Sequence, residues 1–409
     1  LIDVRKYSPT DPIVREEPYP YYAELRKGPG ATYVPADDLW VIPRFNDVGM
    51  ALRDTTNFSS KGLWALFGGI VSARERPRPN VREFAATQPR MIIALDPPDH
   101  IAMRRLVSNA FSKKVIDAGY TDLIRSICNE LIDDMLEKRE GGTIDLFEAF
   151  HHPLPIRVIA DILGVHPARR HEFKQWSDIL IERQSGRGNS PEEQAAIKNM
   201  TAYFAEILRY RKEHRGDDLI SMIITGNEGS DEFLTEWDLI NFCGLLLSAG
   251  NETTTNLLGN MFNAFFLYPD QARKAWHIDN IALVVEEVLR YDSTVQGLVR
   301  LTNADVEVGD TVIPKDSIAI VLLGSANRDE TRWPDGDVFD IERRSVPHFG
   351  FGNGIHSCLG SSLARLEAAV ALDVLRTRLK SVEPAGRSIR ATNVILRGFS
   401  SMPARVKAA

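Results

Sequence analysis

Cysteine is scarce in this chain: Cys128, Cys243 and Cys358 are the only three among 409 residues, and no two form a C-x-x-C pair. That count excludes a disulfide framework and any four-cysteine zinc or iron–sulfur site built by this chain alone. Thiols this sparse suit a reducing compartment, so a cytoplasmic location is expected. Long apolar runs are missing too: no stretch reaches the roughly 18 residues of a membrane span. Leu1 to Pro20 carries charges and prolines where a signal peptide would carry an apolar segment. The expectation is a protein that works without a membrane. Nor is positive charge in excess; the net charge is -7, and nothing global favours nucleic acid. G-x-S-x-G and H-E-x-x-H do not occur, which argues against a serine or zinc hydrolase. No repeat, low-complexity tract or flexible linker interrupts the chain, so 1–409 reads as one integrated unit.

The composition, 44% apolar and 26% charged, is that of a globular protein with a large core. From Asp99 onward apolar residues recur at three- and four-residue spacing, predicting a helical core over about 99–290 and again over 358–380. Thr235 followed by Asp238 is a capping sequence for a long, mostly apolar helix from Thr235 to Leu267. Turns at Gly309-Asp310 and Pro314-Lys315 separate predicted strands at Val306 to Val308, Thr311 to Ile313 and Ser317 to Leu323. The fold class expected is mainly α with a smaller β-rich lobe, formed near 30–60, 295–325 and 390–406.

Cys128 and Cys243 sit in apolar helical patterns and read as buried, inert side chains. Cys358 does not. It lies in Phe351-Gly352-Asn353-Gly354-Ile355-His356-Ser357-Cys358-Leu359-Gly360, directly before a helical run from Ser361 to Leu372. A thiol there faces the free N–H groups and positive dipole end of a helix, which favours the metal-ligating thiolate. Gly352, Gly354 and Gly360 remove side chains where a flat, bulky group can approach the backbone. Phe351 adds an aromatic face beside the sulfur. Elsewhere, Glu287-Val288-Leu289-Arg290 puts a carboxylate and a guanidinium on one helix face. Exposed, such a pair is worth little; its apolar flanks point to burial, where further partners are needed. Inside the long helix, Ala249-Gly250-Asn251-Glu252-Thr253-Thr254 sets small and polar residues in an apolar stretch. A threonine hydroxyl there can take a carbonyl one turn back and open a groove for a diatomic molecule beside a flat cofactor. The alternative is a glycine packed against a neighbouring helix.

The loop pattern F-x-x-G-x-x-x-C-x-G resembles the haem-ligand loop of the cytochrome P-450 family. The segment from Ala249 to Thr254 is similar to that family's A-G-x-[D/E]-T-T motif, with Glu252 where many bacterial members have Asp. Ala326-Asn327-Arg328-Asp329 is a matching turn, and the motifs span residues 96–360 in the family's order. The resemblance implies the cytochrome P-450 fold, haem b (iron protoporphyrin IX) as cofactor and Cys358 as metal ligand. Phe351, Gly352, Gly360 and Ala249 are then expected against the haem. It implies propionate clamps at His100, Arg104, Arg300 and His356, with His348 as a fifth candidate. It makes Arg343, or alternatively Arg344, the third member of a Glu287–Arg290 network that locks the helix to the cysteine loop. Thr253 would contact bound oxygen, and Glu252 would belong to the proton route from solvent.

The implied activity is a monooxygenase that inserts one atom of O2 into a small or medium, mostly apolar substrate, by hydroxylation, O-dealkylation or epoxidation. No flavin or iron–sulfur motif occurs, so electrons are expected from an iron–sulfur ferredoxin and its NAD(P)H-dependent reductase. Lys113, Lys114, Arg104, Arg105 and Arg365 are candidates for the docking face. By position, Leu245, Ser248, Ala249, Val295, Gln296, Ile395 and Leu396 are expected to line the substrate pocket, under a roof from 62–90 and 168–200. Arg74, Arg76, Arg78, Arg82 and Arg90 suggest either a substrate carboxylate or a solvated basic surface. A monomer is expected. Two alternatives stand beside this reading: a peroxide-driven peroxygenase of the same fold, and a non-catalytic haem-thiolate sensor. The Glu252-Thr253 pair argues against the first, and a sensor would need the cysteine loop without the proton relay.

Overall fold

A computed structural model of the chain describes residues 4–71, 79–139, 141–184, 190–228, 234–344 and 347–409. Arg74, Arg76 and Arg78 lie outside them. The longest helix, Glu236–Leu267, starts where the capping sequence places it. The Thr235 hydroxyl accepts from Asp238 N at 3.1 Å, and the Asp238 carboxylate accepts from Thr235 N at 3.0 Å. Two N–H groups that a helix start leaves free are thereby bonded, at a gain of about 0.5–2 kcal/mol. Most of this helix is buried, as one that is apolar all round must be. Pro153–Ile162, Arg170–Gln184, Pro191–Glu213 and Ile281–Tyr291 pack around it. Ser361–Arg378 packs against both it and Lys113–Lys138.

The β-rich lobe centres on a five-stranded sheet ordered Thr32–Val34, Leu39–Ile42, Ile318–Val321, Leu298–Thr302, Phe58–Ser59. Its pairs are antiparallel except the second with the third, where Val41 faces Ile320 in parallel. Two segments depart from the sequence expectation. Thr143–Asp145 is a strand inside a stretch expected to be helical. Gly141 and Gly142, with φ of +56° and +82°, lie between the preceding helix and this strand, and its partner is Pro403–Ala408, with Ile144 opposite Ala404. Leu379–Pro384 completes that three-stranded sheet. Conversely, residues 394–398 make one bridge, Leu396 to Val295, and the strands beyond it are Phe399–Ser401 and Pro403–Ala408.

One ion pair links the helix Ile281–Tyr291 to the chain leading toward Cys358. Glu287 and Arg290 are 4% and 2% exposed. Arg290 Nε and Nη2 each donate to a Glu287 carboxylate oxygen at 2.8 Å. The remaining donors reach the carbonyls of Asn327 (3.0 Å), Gly336 (2.7 Å) and Val338 (3.0 Å). Glu287 also accepts from Asp340 N at 2.9 Å and from Arg343 Nε at 3.4 Å. With both charges surrounded by partners, the cost of removing them from water is offset. Glu287→Gln should therefore lower stability by about 3–5 kcal/mol, because it strands the buried guanidinium. The chemical-denaturation midpoint of the purified protein measures this, and Lys138→Ala, on an exposed helical pair, should leave that midpoint in place.

Candidate active site

Cys358 sits between the turn Gly354–His356 and the helix Ser361–Arg378. Its N–H donates to Phe351 O at 2.9 Å, which folds the loop back on itself. Gly354 has φ of +71°, and a Cβ there would lie 2.6 Å from Leu52 O, so handedness and packing both demand glycine. At Gly360 the case is different: an added Cβ would meet nothing within 4 Å. Open space borders the loop at that point. The Cys358 side is exposed while its neighbours from Phe351 to Gly360 are half-buried. Surrounding protein mass raises the thiol pKa, and the Gly360 N–H, Arg104 and Arg365 only partly oppose it. The helix start alone therefore does not produce the thiolate expected from sequence; a cation bound opposite the sulfur would.

Positive groups gather beside this loop. His100 and Arg104 lie one turn apart on the helix Asp99–Ser108, and Arg104 is electrostatically coupled to Cys358. The His100 and His356 rings are 3.9 Å apart, centroid to centroid. Arg300, on Leu298–Thr302, is 4% exposed and donates to Val299 O at 3.0 Å. Neither arginine is in ion-pair contact with a carboxylate among the described residues. Asp96 acts on Arg300 from farther away, its own oxygens held by Ser59 Oγ and Ser60 N. Both His100 nitrogens and His356 Nε2 are buried without a hydrogen-bond partner among the described residues. Burial, then the Arg104 charge, pushes His100 down to about 4. Burial and the neighbouring His100, Arg300 and Arg104 take His356 to about 3. Buried donors and cations without an anion mark a place shaped for anionic groups.

The long helix supplies a second wall. Ala249 is exposed in the middle of this otherwise buried element, with Gly250, Glu252 and Thr253 half-buried beside it. Thr253 Oγ1 donates to Ala249 O at 2.8 Å, one turn back, while the helix runs unbroken. The hydroxyl captures its carbonyl without the expected opening of the ladder. Burial raises Glu252 to about 7, opposed by a hydrogen bond from Asn393 Nδ2 at 3.4 Å. A carboxyl in that range can release and regain a proton at neutral pH. Asn251 turns the other way and donates to Ser177 Oγ at 2.8 Å, tying Arg170–Gln184 to the long helix.

A group that suits these walls is flat, carries two anions for two unpaired arginines, and presents a metal to a thiol. Haem has each of these features. The cytochrome P-450 family model matches residues 277–384. Over nearly the full chain, cytochrome P-450 109 of Bacillus spizizenii is 36% identical across 404 residues, covering 95% of this chain and 92% of that protein. The chain belongs to the cytochrome P-450 family. Among solved structures, the cytochrome P-450 CYP109Q5 from Chondromyces apiculatus matches with a TM-score of 0.87 at 35% identity, covering 100% of both chains. CYP109E1 from Bacillus megaterium, solved in complex with testosterone, matches with 0.82 at 30% identity over 95% of this chain and 99% of that one. The chain is thus a haem-dependent cytochrome P-450 monooxygenase. No helix among the described residues is long and apolar enough to cross a membrane.

Several residues singled out from sequence lie elsewhere in this cytochrome P-450. His348 is not beside the other histidine pair's open nitrogens: its Nε2 meets Glu286 at 3.2 Å and its Nδ1 accepts from Gly350 N at 3.0 Å. Both ring nitrogens are spent, so it is withdrawn as a propionate clamp. Gln296 turns into the core, where Nε2 donates to Tyr19 Oη at 3.1 Å and Ser293 O at 2.7 Å. With Ile395 and Leu396 it borders a cavity of about 30 Å³, room for water and not for an organic substrate. The Ser248 hydroxyl is folded onto its own helix, at 3.2 Å from Leu245 O. Leu245 is buried, while Val295 and Leu396 are half-buried. Arg82 is bound to Asp316 and Thr302 O, and Arg90 pairs with Asp99 at 3.6 Å and Asp238 at 3.7 Å. Neither is free for a substrate carboxylate. Arg365 grips Glu286 at 2.6 and 3.0 Å and lies over the Phe351 ring. Glu286, Ser177 and Asn393 were not legible beforehand, since no local pattern marks them.

The two depressed imidazoles have a consequence for stability. Each folded-state pKa lies below the ordinary 6.5, so the unfolded chain binds more protons in between, and stability falls as pH drops through that window. In haem-free protein, the denaturation midpoint should fall between pH 6.5 and about 4. A His100→Gln, His356→Gln double variant should show a flatter profile across the same pH series.

Proposed function

We propose that this cytochrome P-450 is a haem b enzyme that hydroxylates a small or medium, mostly apolar organic molecule, with electrons from a ferredoxin and its NAD(P)H-dependent reductase. The observation that carries this reading is the open thiol of Cys358, with the half-buried Arg104 and the buried Arg300 gathered at its loop and neither in contact with a carboxylate among the described residues. Cys358 is the metal ligand. Arg104, Arg300, His100 and His356 take the two propionates, with Phe351, Gly352, Gly360 and Ala249 against the ring. Haem, when bound, supplies oxygen activation at a thiolate-ligated iron. The chain's own groups do the rest. The Thr253 hydroxyl gives its hydrogen to Ala249 O, so its oxygen lone pairs are left to accept a hydrogen bond from the pocket. Glu252, held near neutrality by burial, carries protons to that side. This acid–alcohol pair favours a monooxygenase over a peroxide-driven enzyme or a sensor.

Leu245, Ala249, Val295 and Leu396 supply the apolar wall. Testosterone in the Bacillus megaterium relative is a substrate-sized molecule of the matching character. Arg105, Lys113 and Lys114 are exposed and form the basic face offered to the ferredoxin; Arg104, coupled to Cys358, is left out of it. Three free cysteines suit the cytoplasm.

The reduced CO complex of the enzyme should show the red-shifted Soret band of thiolate ligation, and an unshifted band in correctly folded protein would overturn the reading. Thr253→Ala should keep consuming NADH while product per NADH falls at least about tenfold and peroxide rises; a sensor would show no substrate-dependent consumption. Arg300→Leu should speed haem loss to a scavenging apoprotein by roughly 10- to 100-fold, the worth of one charge-assisted hydrogen bond. Lys138→Ala, at an exposed pair with Asp134, should leave that rate unchanged.

A further inference from the structure

Among the described residues the Glu252 carboxyl has one hydrogen-bond partner, and it comes from outside the motif. Asn393 stands 141 residues further along the chain and directs Nδ2 at Glu252 Oε1, 3.4 Å away. Its other end is committed, because Oδ1 accepts from Ile395 N and Leu396 N, both at 3.1 Å. With the oxygen pinned by its own loop, the carboxamide can present only its NH2 to the acid. That loop is fixed in turn. Gln296 N donates to Ile395 O at 2.7 Å, Arg397 N donates to Thr294 O at 2.8 Å, and Val295 bridges Leu396.

No charged group among the described residues bears on Glu252. The helix Pro153–Ile162 meets the adjacent Gly250 with the apolar Ile159. Arg170–Gln184 spends Ser177 on Asn251. Arg390, three residues before Asn393, is held by Asp292 at 3.4 Å. The remaining influences are burial, which disfavours the carboxylate, and the Asn393 N–H, which favours it.

We propose that Asn393 is a positioning residue for Glu252: it holds the carboxyl in one orientation and sets how readily that carboxyl ionises during turnover. The proposal rests on Glu252 as proton carrier. Removing a donor that stabilises the charged form raises a carboxyl pKa, so loss of Asn393 moves Glu252 further up. Its proton then becomes harder to release at neutral pH.

The test uses the full-length, haem-loaded enzyme carrying Asn393→Ser. A serine oxygen can still take the Ile395 N–H, and its hydroxyl is too short to reach Glu252. The carboxyl stretch of Glu252, assigned in infrared difference spectra by its loss in Glu252→Gln, is titrated with pH. Its midpoint should rise by about 0.5–1 unit in Asn393→Ser, the worth of one hydrogen bond. The pH profile of product per NADH should move upward with it. Asn393→Asp keeps the turn, removes the donor and adds a like charge, so its midpoint should rise further. A midpoint unmoved or lowered in folded Asn393→Ser overturns the positioning role. Unchanged product per NADH in Glu252→Gln would instead sink the proton-carrier reading, and the infrared midpoint would still judge Asn393.

Discussion

The buried Glu287–Arg290 pair is the constraint on which the site's geometry hangs. Arg290 holds the carbonyl of Asn327, and the Asn327 carboxamide accepts from Phe349 N at 2.7 Å and donates to Ser293 Oγ at 2.8 Å. Phe349 O accepts from Gly352 N, and Phe351 O accepts from Cys358 N. An unbroken line of short bonds thus runs from a charge pair in the core to the sulfur. The neighbouring Glu286 serves the other side of the same loop. Burial works to raise its pKa, but bonds from His348 and Arg365 outweigh it and hold the carboxyl at about 2. One helical turn therefore grips both the loop and the helix that follows Cys358.

The two walls of the site are complementary in what they leave undone. Among the described residues, one gathers arginines and imidazoles with no carboxylate in contact, and the other holds a single acid on which no cation acts. Other buried charges are matched, although Glu367 Oε2 and both His151 nitrogens are also buried without a partner among the described residues. Asp292 is held far below the usual carboxylate range, since burial is outweighed by Arg397 and Arg390, with Tyr19 donating to it at 2.7 Å. Arg328 lies between the rings of Tyr19 and Tyr291 at 3.4 and 3.7 Å. What sets the groups around Cys358 apart is that arginines and imidazoles gather there together, and unmatched buried charge is costly unless a ligand supplies the match.

Much of this was written locally and could be read locally. The Thr235–Asp238 cap, the hairpin at 306–313 and the glycine-bearing cysteine loop each depend on neighbours a few residues away. The mainly helical architecture and the cytochrome P-450 family followed from such signals. What stayed hidden depends on distant partners. Thr143–Asp145 becomes a strand because Pro403–Ala408 pairs with it. His348 looks like a ligand candidate until Glu286 claims it. Gln296 sits at a pocket position in sequence, yet Tyr19 draws its side chain the other way. Side-chain direction is set by packing between elements, and spacing along the chain does not encode it.

The three-stranded sheet has a consequence for the order in which the protein can be made. Thr143–Asp145 is synthesised early, Leu379–Pro384 and Pro403–Ala408 late. During translation the early strand waits with its edge unpaired until more than two hundred further residues have emerged, and exposed strand edges are where nascent chains associate wrongly. Its brevity, three residues, and the Gly141-Gly142 corner before it keep that edge from becoming a template. The sheet acts as a late clasp, shut only when the two strands that follow the helix Ser361–Arg378 have arrived.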